Sequence, residues 1–129
     1  MKILKSIIIL IISGTILNVW LLRLSKPTPF RGGDANTLLD EFTVYGLSET
    51  VFYVVGFVKV ITALFLLIGL FYKKTIVPAA AIIAFIMLVA VFMHFRVQDS
   101  FTKHLPALLM LILSIALIVI ERRFNTSLE

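Results

Sequence analysis

The stretch VFYVVGFVKVITALFLLIGLF, residues 51–71, decides the fold. At 1.5 Å of rise per residue, a helix over this run reaches about 30 Å, the thickness of a bilayer's hydrocarbon core. One charge interrupts it, Lys59. An ammonium near the middle of a span costs roughly 2.5–3.5 kcal/mol on insertion scales, so such a residue faces a bundle interior or a wet cavity and not lipid. This segment alone therefore predicts a membrane protein with a polar site inside it.

Outward from it, three more apolar runs have spanning length: Ile3–Leu22, Ile76–Phe95 and Leu105–Ile120. Apolar residues make up 60% of the 129 positions. With a mean hydropathy of +1.09, that is more than a soluble domain of this size can hide from water. The runs are continuous and do not alternate, which excludes a transmembrane β-barrel. The expectation is an all-α, membrane-spanning four-helix bundle. It forms one domain over residues 1–127, with spans at about 3–22, 51–71, 76–95 and 105–120. Leu128-Glu129 reads as a vector scar and is set apart.

The start, Met1-Lys-Ile-Leu-Lys5 before a long apolar run, resembles a secretory signal. The run exceeds a usual signal core and no small-x-small site follows it, so it reads as a retained first span. There is no cysteine, which removes disulfides, thiolate metal sites and thiol redox chemistry in this chain. The net charge of +5 is not a nucleic-acid footprint, because the basic residues cluster at span ends as interfacial anchors.

Four spans put both termini on one side. Lys2, Lys5, Lys73, Lys74, Arg122 and Arg123 lie there, against Arg23, Lys26, Arg31, Arg96 and Lys103 diluted by acidic residues on the other. The balance predicts a multi-pass cell-membrane protein, in a bacterium an inner-membrane one, with both termini cytoplasmic.

Between the first two spans, Pro27, Pro29 and Gly32-Gly33 break regular structure. A short helix over Ala35–Tyr45 should follow, capped by Asp34 and stopped by Gly46, with Leu38, Phe42 and Tyr45 at helical spacing. It suits a helix lying in the interface or tucked over the bundle. Ser48 can cap the second span, where Gly56, Lys59 and Ala63 make a small-residue stripe facing protein. Pro106 is expected to open the fourth span. Phe92, Phe95 and Phe101 fit an aromatic belt; Trp20 fits either that belt or a cavity wall.

A helical side chain leans toward its helix N-terminus, so Lys59 leans outward. His94, near the outer end of the third span, joins Glu41, Tyr45, Glu49, Arg96, Asp99 and His104 on that side. A polar pocket with Lys59 as floor follows, its partner carboxylate being Glu41 or Asp99. His94 suits a hydrogen-bonding group or a proton carrier. The plainer reading of Lys59 is a carboxylate pair that only fixes helix register. His94 and His104, ten residues apart across a helix break, make a poor metal signature.

The string Phe30-Arg-Gly-Gly33, then Glu41-Phe42, Tyr45-Gly46-Leu47, Gly56, Lys59, Ala63, Met93-His94 and Asp99 resembles the DoxX-like family of small four-helix membrane proteins. The resemblance runs from about Asn18 to Ala107. It implies a four-helix bundle whose polar set is Arg31, Gly32, Gly33, Glu41, Tyr45, Lys59, His94 and Asp99. It also implies kinship with the family's namesake, a small membrane subunit of a thiosulfate:quinone oxidoreductase. Lacking cysteine, this chain performs no thiol transfer itself.

Three functions fit these residues. The first is a ligand-binding subunit of a redox-linked membrane system, with a quinone-like lipophile held by Lys59, His94 and Tyr45 and with Glu41, Asp99 and Arg31 beside them. No covalent cofactor is expected there, and electrons would enter from a partner protein. The second is a non-catalytic assembly or accessory subunit that packs its small-residue faces on another membrane protein. The third is a small transporter with a gated ion pair, which four spans could build only as an oligomer.

Overall fold

The computed structural model describes residues 2–23, 25–26 and 29–128, with side chains up to Arg123. Five α-helices follow one another: α1 Lys2–Leu17, α2 Leu38–Val44, α3 Glu49–Ile68, α4 Ile76–Arg96 and α5 Phe101–Leu128. A wider π-helical stretch, Asn18–Leu22, prolongs α1, and a short 3₁₀ turn, Lys73–Thr75, leads into α4. Four helical segments have the length and hydropathy to cross a membrane: Lys2–Leu22, Glu49–Ile68, Lys73–Arg96 and Phe101–Arg123. The chain is an all-α membrane bundle, as the apolar runs predict.

Neighbours run in a closed ring, α1 on α3, α3 on α4, α4 on α5 and α5 back on α1. Ile9, Ile12, Ala63, Leu66, Ala80, Ile83 and Leu117 fill its centre, almost fully buried. Lipid cannot drive apolar helices together as water does, so close approach and polar links matter more. One such link is the Ser13 hydroxyl, which donates to the Ala63 carbonyl at 3.0 Å between α1 and α3. The outer faces carry the unburied apolar mass, with Phe71, Phe92, Phe95 and Phe101 exposed among it.

Among the element ends that differ from expectation, three have a clear local setting. Helix α2 starts at Leu38, not Ala35, because Thr37 and not Asp34 is the cap, its hydroxyl accepting from the Asp40 N–H at 3.0 Å. Helix α3 stops at Ile68, and residues 69–71 turn instead of completing the helix. Helix α5 starts at Phe101, so Pro106 sits one turn inside it and opens nothing. Ser48 does cap α3, accepting from the Val51 N–H at 3.2 Å. Gly46, at φ +79°, ends α2 with Gly46 N–H to Thr43 O and Leu47 N–H to Phe42 O, the paired bonds of a Schellman turn. Of the C-terminal pair set apart above, Glu129 lies outside the described residues.

At one end of the bundle the Lys5 amine donates to Glu121 Oε1 at 2.8 Å, with both side chains buried. The beginning of α1 and the end of the last span thus lie at the same end. The site described next lies at the other.

Candidate functional site

The site is built where the π stretch, α2 and the ends of α3, α4 and α5 converge. Trp20 in the π stretch is 6% exposed, and it packs on Phe52 of α3 at 5.1 Å and edge-on to Phe42 of α2 at 5.9 Å. Phe42 and Phe52 close the trio at 5.3 Å. Rings at these separations add about 0.5–1.5 kcal/mol per pair beyond area burial. The trio, with buried Leu38, holds α2 over the bundle, which settles the two placements open for this helix. Trp20 therefore belongs to the interior and not to an interfacial belt.

Gly56 makes this possible. A Cβ there would stand 2.5 Å from Trp20 Cζ3, so only glycine leaves room for the indole. The expected stripe of Gly56 and Ala63 is real, and α1 with its π extension covers it.

Beside Trp20 opens a cavity of about 450 Å³. Its apolar wall comes from Ile16, Val19, Leu38, Met87, Ala90, Ala107 and Met110, and its polar wall includes Arg31, Glu41, Lys59 and His94. The Lys59 amine lies 5.3 Å from the Trp20 ring centroid. Neither expected carboxylate pairs with it: among the described residues no ion pair to Lys59 falls within 4.0 Å. Both are engaged elsewhere. Of the two, Glu41 is the one whose charge reaches Lys59 through space.

Glu41 accepts from the Tyr45 hydroxyl at 2.7 Å, lies 3.8 Å from Arg31 Nη1, and lies 4.0 Å from His94 Nε2. Arg31 is 5% exposed, and its Nη2 donates to the carbonyls of Arg23 and Lys26 at 2.8 and 3.1 Å. It ties the loop after α1 to α2. Burial lowers the Arg31 pKa and Glu41 opposes that shift. The Tyr45 phenol is pushed up, first by burial and then by the Glu41 charge and hydrogen bond, so it stays a neutral donor.

His94 Nδ1 donates to Asp99 Oδ2 at 2.6 Å. A carboxylate only accepts, so the Nδ1 proton is assigned by this partner. The contact follows from how α4 ends. Gln98 sits at φ +57°, with Gln98 N–H bonded to Phe95 O and Asp99 N–H to His94 O, a second Schellman turn. That closure brings residue 99 back beside residue 94. The other oxygen, Asp99 Oδ1, accepts from the Gly33 N–H at 2.9 Å, and the Lys103 amine donates to Gly33 O. Burial would raise the Asp99 pKa. The His94 and Gly33 hydrogen bonds and the His94 and Lys103 charges outweigh it and hold the carboxyl below its ordinary value. The Tyr45 hydroxyl touches the His94 ring at 3.4 Å from Nδ1 and 3.3 Å from Nε2. Asp99, His94, Tyr45 and Glu41 thus form one continuous polar chain, and its Glu41 and His94 links stand on the cavity wall.

Lys59, His94, Glu41 and Arg31 all line the cavity, with Tyr45 and Asp99 directly behind them. Sequence reasoning missed Lys103, which joins Asp99 and Gly33, and undervalued buried His104, whose ring lies 5.3 Å from that of His94. Its spacing of ten residues from His94 spoke against metal, and carried no hint that the two rings would pack side by side, tilted by 44°. Among the described residues no group of three His, Cys, Asp or Glu could hold a metal ion.

Four helices long and apolar enough to cross a membrane, packed as one bundle, define an integral membrane protein. The sequence matches the DoxX-like family over residues 32–117, well over half of the chain, and the protein belongs to that family. No curated protein and no solved structure matches it. The family match covers Glu41, Tyr45, Lys59, His94 and Asp99 and begins just after Arg31.

Proposed function

We propose that the protein binds a lipophile with a quinone-like headgroup, as a ligand-binding subunit of a redox-linked system in the cell membrane, with both termini on the cytoplasmic side. The observation carrying this is the cavity itself. Its size, about 450 Å³, falls among small-molecule sites, which are mostly apolar with a few convergent polar groups. Lys59 and His94 supply groups able to face headgroup oxygens, while Ile16, Leu38, Met87 and Met110 suit an apolar ring and the start of its tail. Tyr45 and Asp99 orient His94 and Glu41 from behind. In this reading electrons come from a partner protein.

The accessory-subunit alternative needed free small-residue faces. Gly56, Ala63 and Ala80 are covered within this chain, so an outside partner would have to use other faces. Mass spectrometry of an organic extract, from protein purified in mild detergent beside Lys59→Met, tests the proposal. A stoichiometric quinone-like lipophile lost in the variant is expected. Bulk lipid alone in both samples would count against it.

A further inference from the structure

The charges on the cavity wall do not balance. Arg31 faces Glu41 at 3.8 Å and Lys103 faces Asp99 at 4.0 Å, each cation beside one carboxylate. Lys59 has no carboxylate within that distance, and Arg23 adds a further cation to the wall. Glu41 cannot readily swing to Lys59, because Tyr45 and Arg31 already hold its two oxygens. Apart from Thr15, Asn18 and His94, most of the remaining wall is apolar. In mostly apolar surroundings an ammonium answered only by the more distant Glu41 gains from an opposite charge brought into contact with it.

We infer that the cavity selects an anionic lipophile, an apolar body carrying one ionised oxygen headgroup, with Lys59 as its counter-charge and Trp20 as the surface beneath it. The inference rests on the lipophile-site reading and narrows it. Two sources share this chemistry: the ionised hydroxyl of a hydroxyquinone, and the carboxylate of a fatty acid. In both, the negative oxygen meets Lys59 and the apolar body lies along Ile16, Met87 and Met110. A neutral quinone offers only carbonyl acceptors and leaves Lys59 without a counter-charge in contact.

The test uses the full chain in zwitterionic nanodiscs at neutral pH, with two matched pairs of probes. One pair is an alkyl hydroxynaphthoquinone and its methyl ether; the other is palmitate and its methyl ester. The ionised member of a pair should bind about tenfold tighter or more in the wild type. Lys59→Arg should keep that preference and Lys59→Met should lose it, with melting temperatures showing that each variant is folded. Equal binding of charged and neutral members in the wild type overturns the inference, whatever the variants do. So does a preference that survives in folded Lys59→Met. If both naphthoquinones bind equally, the anion inference fails and the quinone reading stands. If palmitate alone binds, the inference stands and the quinone reading fails.

Discussion

The Lys59 amine lies over the Trp20 ring, 5.3 Å from its centroid. This contact joins α3 to the π stretch at the point where the cavity opens. An ammonium over an indole face gains about 0.5–2 kcal/mol depending on how much water is excluded. That offsets part of the cost of holding Lys59 inside a span, and leaves its other face directed at the cavity. The contact depends in turn on Gly56, which lets the indole lie against the α3 backbone.

Replacing Gly56 by alanine puts a Cβ 2.5 Å from Trp20 Cζ3 and 2.7 Å from Cε3, closer than atoms pack. The indole must move, at a cost of about 1–3 kcal/mol typical of overpacking. Trp20 is the only tryptophan, so its emission reports the displacement directly. Gly56→Ala should lower the melting temperature and shift the emission maximum. An unchanged spectrum and melting curve would show that Trp20 does not occupy this position.

Asp99 makes stability depend on acid. Its carboxyl is held below the ordinary value, so the stabilisation is fully present above about pH 3.9 and is lost as pH falls through the depressed native value. Asp99→Asn should lose about 1.5–3 kcal/mol near neutrality, the worth of hydrogen bonds to a charged group. It should also melt with less dependence on pH in the acid range than the wild type. Parallel curves for the two proteins would contradict the His94–Asp99–Gly33 arrangement.

Tyr45 works at the opposite end of the pH scale. Its phenol is pushed up by burial and by Glu41, so folding favours the protonated form. That contribution is present below about pH 10 and is lost as pH rises above it toward the native value. In an alkaline absorbance titration, wild type and Tyr45→Phe should generate the same tyrosinate signal while the fold persists. A smaller signal from the variant would place Tyr45 in contact with solvent.

Lys5 and Glu121 form a buried ion pair at the far end from the cavity. Breaking one partner of such a pair costs about 3–5 kcal/mol, whereas replacing both with apolar groups of similar volume is often neutral or better. Glu121→Leu should destabilise strongly, and Lys5→Met added to it should recover much of the loss. Additive losses in that double-mutant cycle would mean the two residues do not interact.

The spans were legible because lipid demands about twenty continuous apolar residues, and residues 51–71 supply them with one telling exception. The polar set of Lys59, His94, Glu41, Tyr45, Asp99 and Arg31 was legible because polar groups flanking spans on one side have few places to converge. The pairing was not. His94 meets Asp99 through the left-handed Gln98, a conformation that glutamine does not advertise. Trp20 turns inward through a π stretch that its apolar neighbours give no sign of. Thr37 outcompetes Asp34 as the cap by a choice of three residues that propensity alone does not make. The Lys5–Glu121 pair joins positions 116 apart, and at the level of sequence both looked like ordinary span-end charges.

The most direct test of the cavity as a lipophile site is a titration of Trp20 fluorescence with an alkyl hydroxynaphthoquinone, in nanodiscs, for wild type and Lys59→Met. A quinone seated against the indole quenches it at close range. Saturable quenching near one equivalent in the wild type, weakened about tenfold or more in a folded Lys59→Met, is the predicted result. Linear, unsaturable quenching of equal slope in both proteins would mean that quinone meets Trp20 only by collision from the lipid, and that the cavity does not bind it.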